Sequence, residues 1–281
     1  MAITQLSLGK HGRLGNQLFQ YAALKYISLR NTTPLVLPPP SEHRLRDFRV
    51  CVHYAPTQQL VSNRWNQYNE PFFHFNPDVW KAPDNTNYHG YFQSEKYFKD
   101  IRHVLQKEFR LVDENITKAA TEKIKEIREK HPDKDLVAFH IRRGDNVPAD
   151  KNHAAPDGAQ YKVNKQDFHP LLSKEYIDYC LKKFEKDIKL IFSDSIKDIG
   201  WCRENLEGEN FYFVGGANDL YDFEMMKLCD HNAISNSSFS WWAAWLNENP
   251  DKKIVAPSNW FGKVYARHNL KDLIPEGWET Y

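Results

Sequence analysis

Charge of one sign is missing from this chain. Its 38 Lys and Arg against 37 Asp and Glu leave a formal net charge of +1 over 281 residues, which excludes a whole-protein electrostatic footprint for nucleic acid or anionic membrane. Long apolar runs are missing too: nowhere do ~18 consecutive apolar residues occur, so no membrane-spanning helix is expected. The opening Met1-Ala-Ile-Thr-Gln-Leu-Ser-Leu-Gly9 has neither a basic nor an apolar stretch and does not read as a secretory leader. A cytoplasmic protein is expected. Cysteine is scarce, and Cys51, Cys180, Cys202 and Cys229 lie far apart with no Cys-x-x-Cys and no Cys/His spacing that closes a zinc site, so four reduced thiols are expected. Ser-His-Asp, His-x-x-x-His and Gly-x-Ser-x-Gly patterns are absent, which leaves nucleophilic hydrolysis and zinc chemistry without support. The chain's one Asp-x-Asp, Asp133-Lys-Asp135, precedes a strand and holds a lysine between its acids; it reads as a solvated turn, and no metal is expected.

What is present is apolar and aromatic. With 41% hydrophobic residues the chain is long enough for one large α/β domain or two of about 100–150 residues each. Aromatics reach 14%, with eight Trp and fourteen Tyr; such rings suit sugar faces, but large cores use them equally. No repeat of fixed period appears. Two halves read differently, and the border is placed at 130/131. In residues 1–130 an apolar alternation at Ile3, Leu6 and Leu8 leads through a glycine-bracketed turn into a helix-like run from Asn16 to about Arg30, followed by a strand at Pro34-Leu-Val-Leu37. Residues 38–91 give no confident elements. Helices are predicted over Glu95 to Phe109 and Ile116 to Lys130.

Residues 131–281 are more regular. Strands are predicted at Leu136–Ile141, Lys189–Phe192, Phe211–Val214, Ala233–Ser235 and Lys253–Ala256, with helical patterns at Ser173–Lys186, Ile196–Asn205, Asp219–Cys229 and Phe239–Asn247. These lengths suit βα crossovers, so a parallel, doubly wound sheet is the economical reading. Two Rossmann-like halves facing each other would hold ligand at the carboxyl ends of their strands, in a central cleft.

Three stretches carry chemistry. In Leu136-Val-Ala-Phe-His-Ile-Arg-Arg-Gly-Asp145, alternation puts His140 and Arg142 on one face and Ile141 and Arg143 on the other, so one arginine reaches a ligand where the other need not. A guanidinium fork there matches a diphosphate; a structural Arg–Asp pair is the equal alternative. Ser235-Asn-Ser-Ser-Phe-Ser-Trp-Trp-Ala-Ala-Trp245 runs from a strand into a Ser-rich helix start, which is either an anion site or an ordinary capped helix buried by its tryptophans. Gly12-Arg-Leu-Gly-Asn-Gln17 lacks both the dinucleotide glycine spacing and a phosphate-loop lysine, but it offers backbone N–H groups and the Asn16 amide. Asp222 and Glu224 suit either a nucleobase edge or the helix dipole, the second being the ordinary reading.

Together these residues resemble the inverting α-1,2-fucosyltransferases of glycosyltransferase family 11. The resemblance runs through Gly12-Arg-Leu-Gly-Asn-Gln-Leu-Phe-Gln-Tyr21, Gly90-Tyr-Phe-Gln-Ser-Glu-Lys-Tyr-Phe98, His140-Ile-Arg-Arg-Gly-Asp145, Phe192-Ser-Asp194 and Asn236-Ser-Ser-Phe-Ser-Trp-Trp-Ala-Ala-Trp-Leu246. It continues through Ile254-Val-Ala-Pro257 and Ile274-Pro-Glu-Gly-Trp278, nearly to the C-terminus. It implies a GT-B fold of two Rossmann-like domains, an acceptor-side 1–130 and a GDP-fucose-binding 131–281. The implied reaction is transfer from GDP-β-L-fucose to the 2-hydroxyl of a terminal galactose on an oligosaccharide, inverting and without an obligatory metal or other cofactor. Arg142 would grip the donor diphosphate beside Ser237, Ser238 and Phe239, with Arg143, Asp194 and Asn236 also at the donor. His140 and Asp222 would lie near the guanine or ribose, and Asn16 and Gln17 would face the donor from the first domain. Asp145, His140 and the acceptor-side Glu95 are the candidates for a base. The insertion Val147–Phe168 bears on acceptor specificity. The competing readings are a fucosyltransferase with another acceptor and a catalytically silent carbohydrate-binding protein.

Overall fold

Short parallel strands organise the first half of the chain: β1 (Ile3–Thr4), β2 (Val36–Leu37), β3 (His53–Tyr54), β4 (Asn66–Asn69) and β5 (Thr86–His89). In this computed structural model, which describes residues 2–143, 165–214 and 218–281, they form a sheet ordered β1-β5-β4 and a pair β2-β3, joined by a parallel bridge between Ile3 and Leu35. The helix after β1, α1 (Leu14–Asn31), forms because Leu14, Leu18, Tyr21 and Ala22 repeat at helical spacing and are all buried. It ends at Thr32 in the left-handed region (φ 53°), with Thr33 N–H returning to Ser28 O at 3.0 Å.

The helix predicted over Glu95 to Phe109 is broken. Two 3₁₀ turns, Glu95–Tyr97 and Lys99–Ile101, precede a short α-helix at Arg102–Glu108, and α2 (Thr57–Ser62) lies within residues 38–91, for which no element is predicted. The cause lies in two neighbouring aromatics, both fully buried: Tyr97 packs against Phe75 and Phe92, Phe98 against Phe19. The Arg102–Glu108 helix is α3, and α4 (Glu114–Lys130) follows.

The chain divides into two compact units, Met1–Glu114 with His268–Glu276, and Asn115–Arg267 with Gly277–Tyr281. α4 thus belongs to the second unit rather than to the half that the sequence reading assigned it. It buries Ala120, Ile124 and Ile127 in one stripe, and Arg128 near its end makes paired bonds to Asp230 at 2.8 and 2.9 Å.

The second unit is a six-stranded parallel sheet. In chain order it comprises β6 (Leu136–His140), α5 (Lys174–Lys183), β7 (Ile188–Phe192), α6 (Ile196–Asn205), β8 (Phe211–Phe213), α7 (Asp219–Leu228), β9 (His231–Ala233), α8 (Ser238–Leu246), β10 (Ile254–Ala256) and β11 (Glu279–Thr280). The spatial order is β8-β7-β6-β9-β10-β11, so the chain winds outward from β6 on one side and then restarts at β9 on the other. β6 and β7 are buried along their whole length, and apart from His140 and Lys189 both are apolar throughout. β9 lies two residues earlier than predicted; Ile234 still bonds to Val255 O, but Ser235 already belongs to the turn. Val137, Phe139 and Ile141 face a core built with α5 and α6, including Tyr176, Ile177 and Cys202. On the alternate face of β6, His140 meets Phe239 of α8, their ring centroids 6.0 Å apart.

Among the described residues no helix is long and apolar enough to cross a membrane. All four cysteines are free thiols, Cys51 exposed and the others buried. Burial pushes the Cys180 and Cys202 thiols up to about 12 and Cys229 also upward, so none of the three is a nucleophile at neutral pH. One thiol is expected to react rapidly with DTNB in the native protein and three more after unfolding; two fast native thiols would contradict this burial pattern.

Candidate functional site

The order of the six strands singles out one place. Where β6 and β9 lie side by side their connections depart in opposite directions, and a doubly wound sheet binds ligand at the carboxyl ends of such a pair. β6 ends there at His140 and continues as Ile141-Arg-Arg143; β9 ends at Ala233 and continues as Ile234-Ser-Asn-Ser-Ser238 into α8. The Arg142 N–H donates to Ser235 Oγ at 3.4 Å, tying the two strand exits together. The sequence-predicted Arg142, Ser237, Ser238 and Phe239 are therefore held at one topological switch point.

The start of α8 differs from those of the three helices before it, α5, α6 and α7. Ser173, Ser195 and Asn218 each accept a backbone N–H of α5, α6 and α7 through their side chains, whereas Ser237, at the same position before α8, makes no side-chain cap bond among the described residues. No side chain caps the first N–H groups of α8, which lie at the positive end of the helix dipole, an arrangement suited to an anion. Asn236 organises this turn from within: its Nδ2 donates to Pro170 O (2.8 Å) and Trp260 O (3.2 Å), and its Oδ1 accepts from Ser235 Oγ (3.0 Å). These bonds make Asn236 a scaffold of the site.

β6 ends at His140, before either arginine, and it is Arg143 whose side chain meets α6. The Arg143 guanidinium lies 3.5 Å over the Trp201 ring of α6, its Nε is 3.8 Å from Asp198 Oδ1, and its N–H donates to Asp194 Oδ2 at 3.0 Å. Arg143 is thus engaged with Asp194 through its backbone and with α6 through its side chain. Both arginines border a cavity of about 410 Å³ between α5 and α6, which Leu172, Ile177 and Leu206 also line. His140 and Asp222 are both buried, and Phe239 connects their surroundings: it packs on His140 and, at 5.4 Å, on Phe223 next to Asp222. Glu224, also buried, pairs with Lys227 at 2.7 Å. Asp145 and residues 147–164 of the insertion lie outside the described residues.

Asn16, Gln17 and Glu95 belong to the first unit. Gly12 has φ +81°, and a Cβ on it would fall 2.4 Å from Asn16 Nδ2, so only glycine lets the turn close over Asn16. Asn16 Oδ1 accepts from Gln93 Nε2 at 2.8 Å. Gln17 is buried, donating to Gly12 O (3.3 Å) and accepting from Arg44 N–H (2.7 Å). Gln17 therefore braces its own loop. Glu95 is partly buried in a turn that Ser94 caps.

The family model of glycosyl transferase family 11 matches residues 4–279. The chain belongs to that family. It is 31% identical to the Escherichia coli O-antigen biosynthesis glycosyltransferase WbnK over 150 residues, 50% of this chain and 43% of that protein. To the Escherichia coli alpha-1,2-colitosyltransferase it is 28% identical over 198 residues, 67% of this chain and 60% of that protein. A third relative is galactoside alpha-(1,2)-fucosyltransferase 2 of Hylobates lar, 24% identical over 84% of this chain and 67% of that protein. The chain spans 43% and 60% of the length of the two Escherichia coli relatives. In fold it is similar to the Arabidopsis thaliana FUT1 mutant solved with GDP, at a TM-score of 0.55 and 11% identity over 90% of this chain and 69% of that one.

For this family 11 chain, sequence reasoning missed a cluster in the first unit. Gln5, Gly90 and Glu70 are the residues that immediately follow β1, β5 and β4, three adjacent carboxyl ends. Gln5 and Gln20 both donate to Gly90 O at 3.0 Å, and Glu70 Oε2 accepts the N–H groups of Tyr91 (2.8 Å) and Phe92 (2.9 Å). Burial raises the Glu70 carboxyl to about 7, against the lowering pull of those two N–H groups. The one sequence signal was Gly90 at the head of a family motif.

Proposed function

We propose that the chain transfers L-fucose from GDP-β-L-fucose to the 2-hydroxyl of a terminal galactose, with inversion and without an obligatory metal, the second unit binding the donor and the first the acceptor. The observation that carries this reading is Arg142 at the β6–β9 switch point beside the uncapped start of α8. As the bond from sugar C1 to the phosphate oxygen breaks, its electron pair moves to the diphosphate. A guanidinium there, together with the uncapped first N–H groups of α8, stabilises that developing charge. The acceptor oxygen forms the new bond to C1 from the opposite face, which inverts the anomeric centre, and the hydroxyl proton passes to a base or to solvent. The family relationship supports glycosyl transfer, and the α-1,2 linkage in the relatives' names supports the 2-hydroxyl. A colitose donor is the second reading, favoured by the match to the colitosyltransferase.

Purified protein incubated with GDP-fucose and lactose, with and without EDTA, is expected to release GDP and yield lactose fucosylated at the galactose 2-hydroxyl, insensitive to the chelator. GDP-colitose run in parallel separates the two donors. If GDP-fucose binds but lactose stays intact, another acceptor is required; if neither nucleotide sugar binds, the silent carbohydrate-binding reading replaces transfer.

A further inference from the structure

The turn that follows β5 is strained. Phe92 has φ +54°, a left-handed conformation that a bulky side chain adopts only when its surroundings force it. The forcing groups all come from neighbouring carboxyl ends or from α1. Gln5 and Gln20 hold Gly90 O, and Glu70 takes both N–H groups just beyond it. Glu70 also approaches so closely that a Cβ on Gly90 would stand 2.5 Å from Glu70 Cβ. The turn so fixed carries Tyr91, a residue 41% exposed, and Gln93, which bonds to Asn16. An exposed aromatic ring on a rigid turn at the carboxyl end of a parallel sheet suits the apolar face of a sugar.

We propose that Glu70 is a positioning residue, holding the Gly90–Gln93 turn in its strained shape so that Tyr91 is presented to the acceptor sugar. This rests on the reading that the first unit binds the acceptor. Glu70 acts through backbone N–H groups and takes no part in bond making. Its carboxylate binds both N–H groups more strongly than the neutral acid does, so the turn tightens as pH rises through about 7. The titratable groups facing Glu70 are the phenols of Tyr97 and Tyr68, both raised well out of the neutral range.

The test compares Glu70→Ala and Glu70→Gln with wild type. Glu70→Ala is expected to raise the acceptor KM by ~10-fold or more with a smaller change in kcat and none in GDP-fucose affinity, because two hydrogen bonds to a charged acceptor are lost. Glu70→Gln retains an oxygen for both N–H groups and should restore the acceptor KM to within about 3-fold, without the wild-type rise in KM as pH falls through about 7. Two readouts need no substrate. Amide exchange at Tyr91 and Phe92 should quicken in Glu70→Ala and stay slow in Glu70→Gln. Because the folded carboxyl titrates near 7 against an ordinary 4.5, its stabilising contribution is complete below pH 4.5 and is lost as pH rises to about 7, a loss that Glu70→Gln should not show. Unchanged acceptor KM in Glu70→Ala overturns the proposal, as does unchanged amide exchange. If wild type transfers no sugar, the functional reading fails while the exchange and stability readouts still decide the role of Glu70; should Glu70→Ala not fold, Glu70→Gln with its lost pH dependence decides it.

Discussion

Arg142→Ala is expected to lower kcat by at least ~10²-fold, the scale for removing one preorganised electrostatic stabiliser of a developing charge. The leaving diphosphate gains negative charge as the sugar bond stretches, and Arg142 is the cation that β6 delivers to the switch point. Arg142→Lys should fall between wild type and alanine, since a lysine keeps the charge but not the two-pronged geometry. The measurement is kcat at saturating GDP-fucose and acceptor, with unfolding followed in parallel to show that the fold survives. A near-normal kcat for Arg142→Ala would reject the assignment and return this arginine to the structural reading that the sequence left open.

The second large effect lies beneath the same site. Trp241 is fully buried on α8 among Trp242, Trp245 and Trp278, at ring distances of 5.2, 6.1 and 5.4 Å. Trp241→Ala is expected to reduce the free energy of unfolding by about 3–5 kcal/mol, the range for removing a large aromatic from a core that only partly collapses. Denaturant unfolding of the purified variant checks this, and a loss below about 1 kcal/mol would show that the aromatic cluster is not the support of α8. Because the uncapped first N–H groups of α8 sit one turn from Trp241, donor affinity should weaken in conditions where the variant remains folded. The Trp-rich run therefore served both sequence readings at once: it buries the helix, and the buried helix aims its start.

The second unit was legible because β6 and β7 are covered on both faces and are apolar but for His140 and Lys189, while the helices that follow β6, β7 and β8 carry their own caps at Ser173, Ser195 and Asn218. The first unit was not legible for the opposite reason. β1, β2 and β3 have two residues each, and β4 reads Asn-Gln-Tyr-Asn with three of its four residues exposed, so no alternation announces a strand. These strands exist because they pair in register, Asn66 to Thr86 through Asn69 to His89, and pairing is a property of the fold rather than of the segment. Glu70 was invisible for that reason: its importance comes from following β4, and β4 could not be seen. The roles of Asn236 and Gln17 were equally hidden, because an amide directed at a ligand and an amide that staples a loop look alike until their partners are known.

The path of the last residues has a consequence for how such genes can be recombined. His268–Glu276 belongs to the first unit, and Gly277–Tyr281 returns to the second as the edge strand β11. Asp272, carried on the first of these segments, accepts the Phe75 N–H at 3.1 Å and pairs with Lys96 at 2.6 Å. Neither unit is one uninterrupted stretch of coding sequence. A single crossover near residue 115 would give a hybrid whose first unit takes its Asp272 segment from the other parent, so exchanging that unit whole between relatives requires two crossovers more, on either side of the nine codons for His268–Glu276.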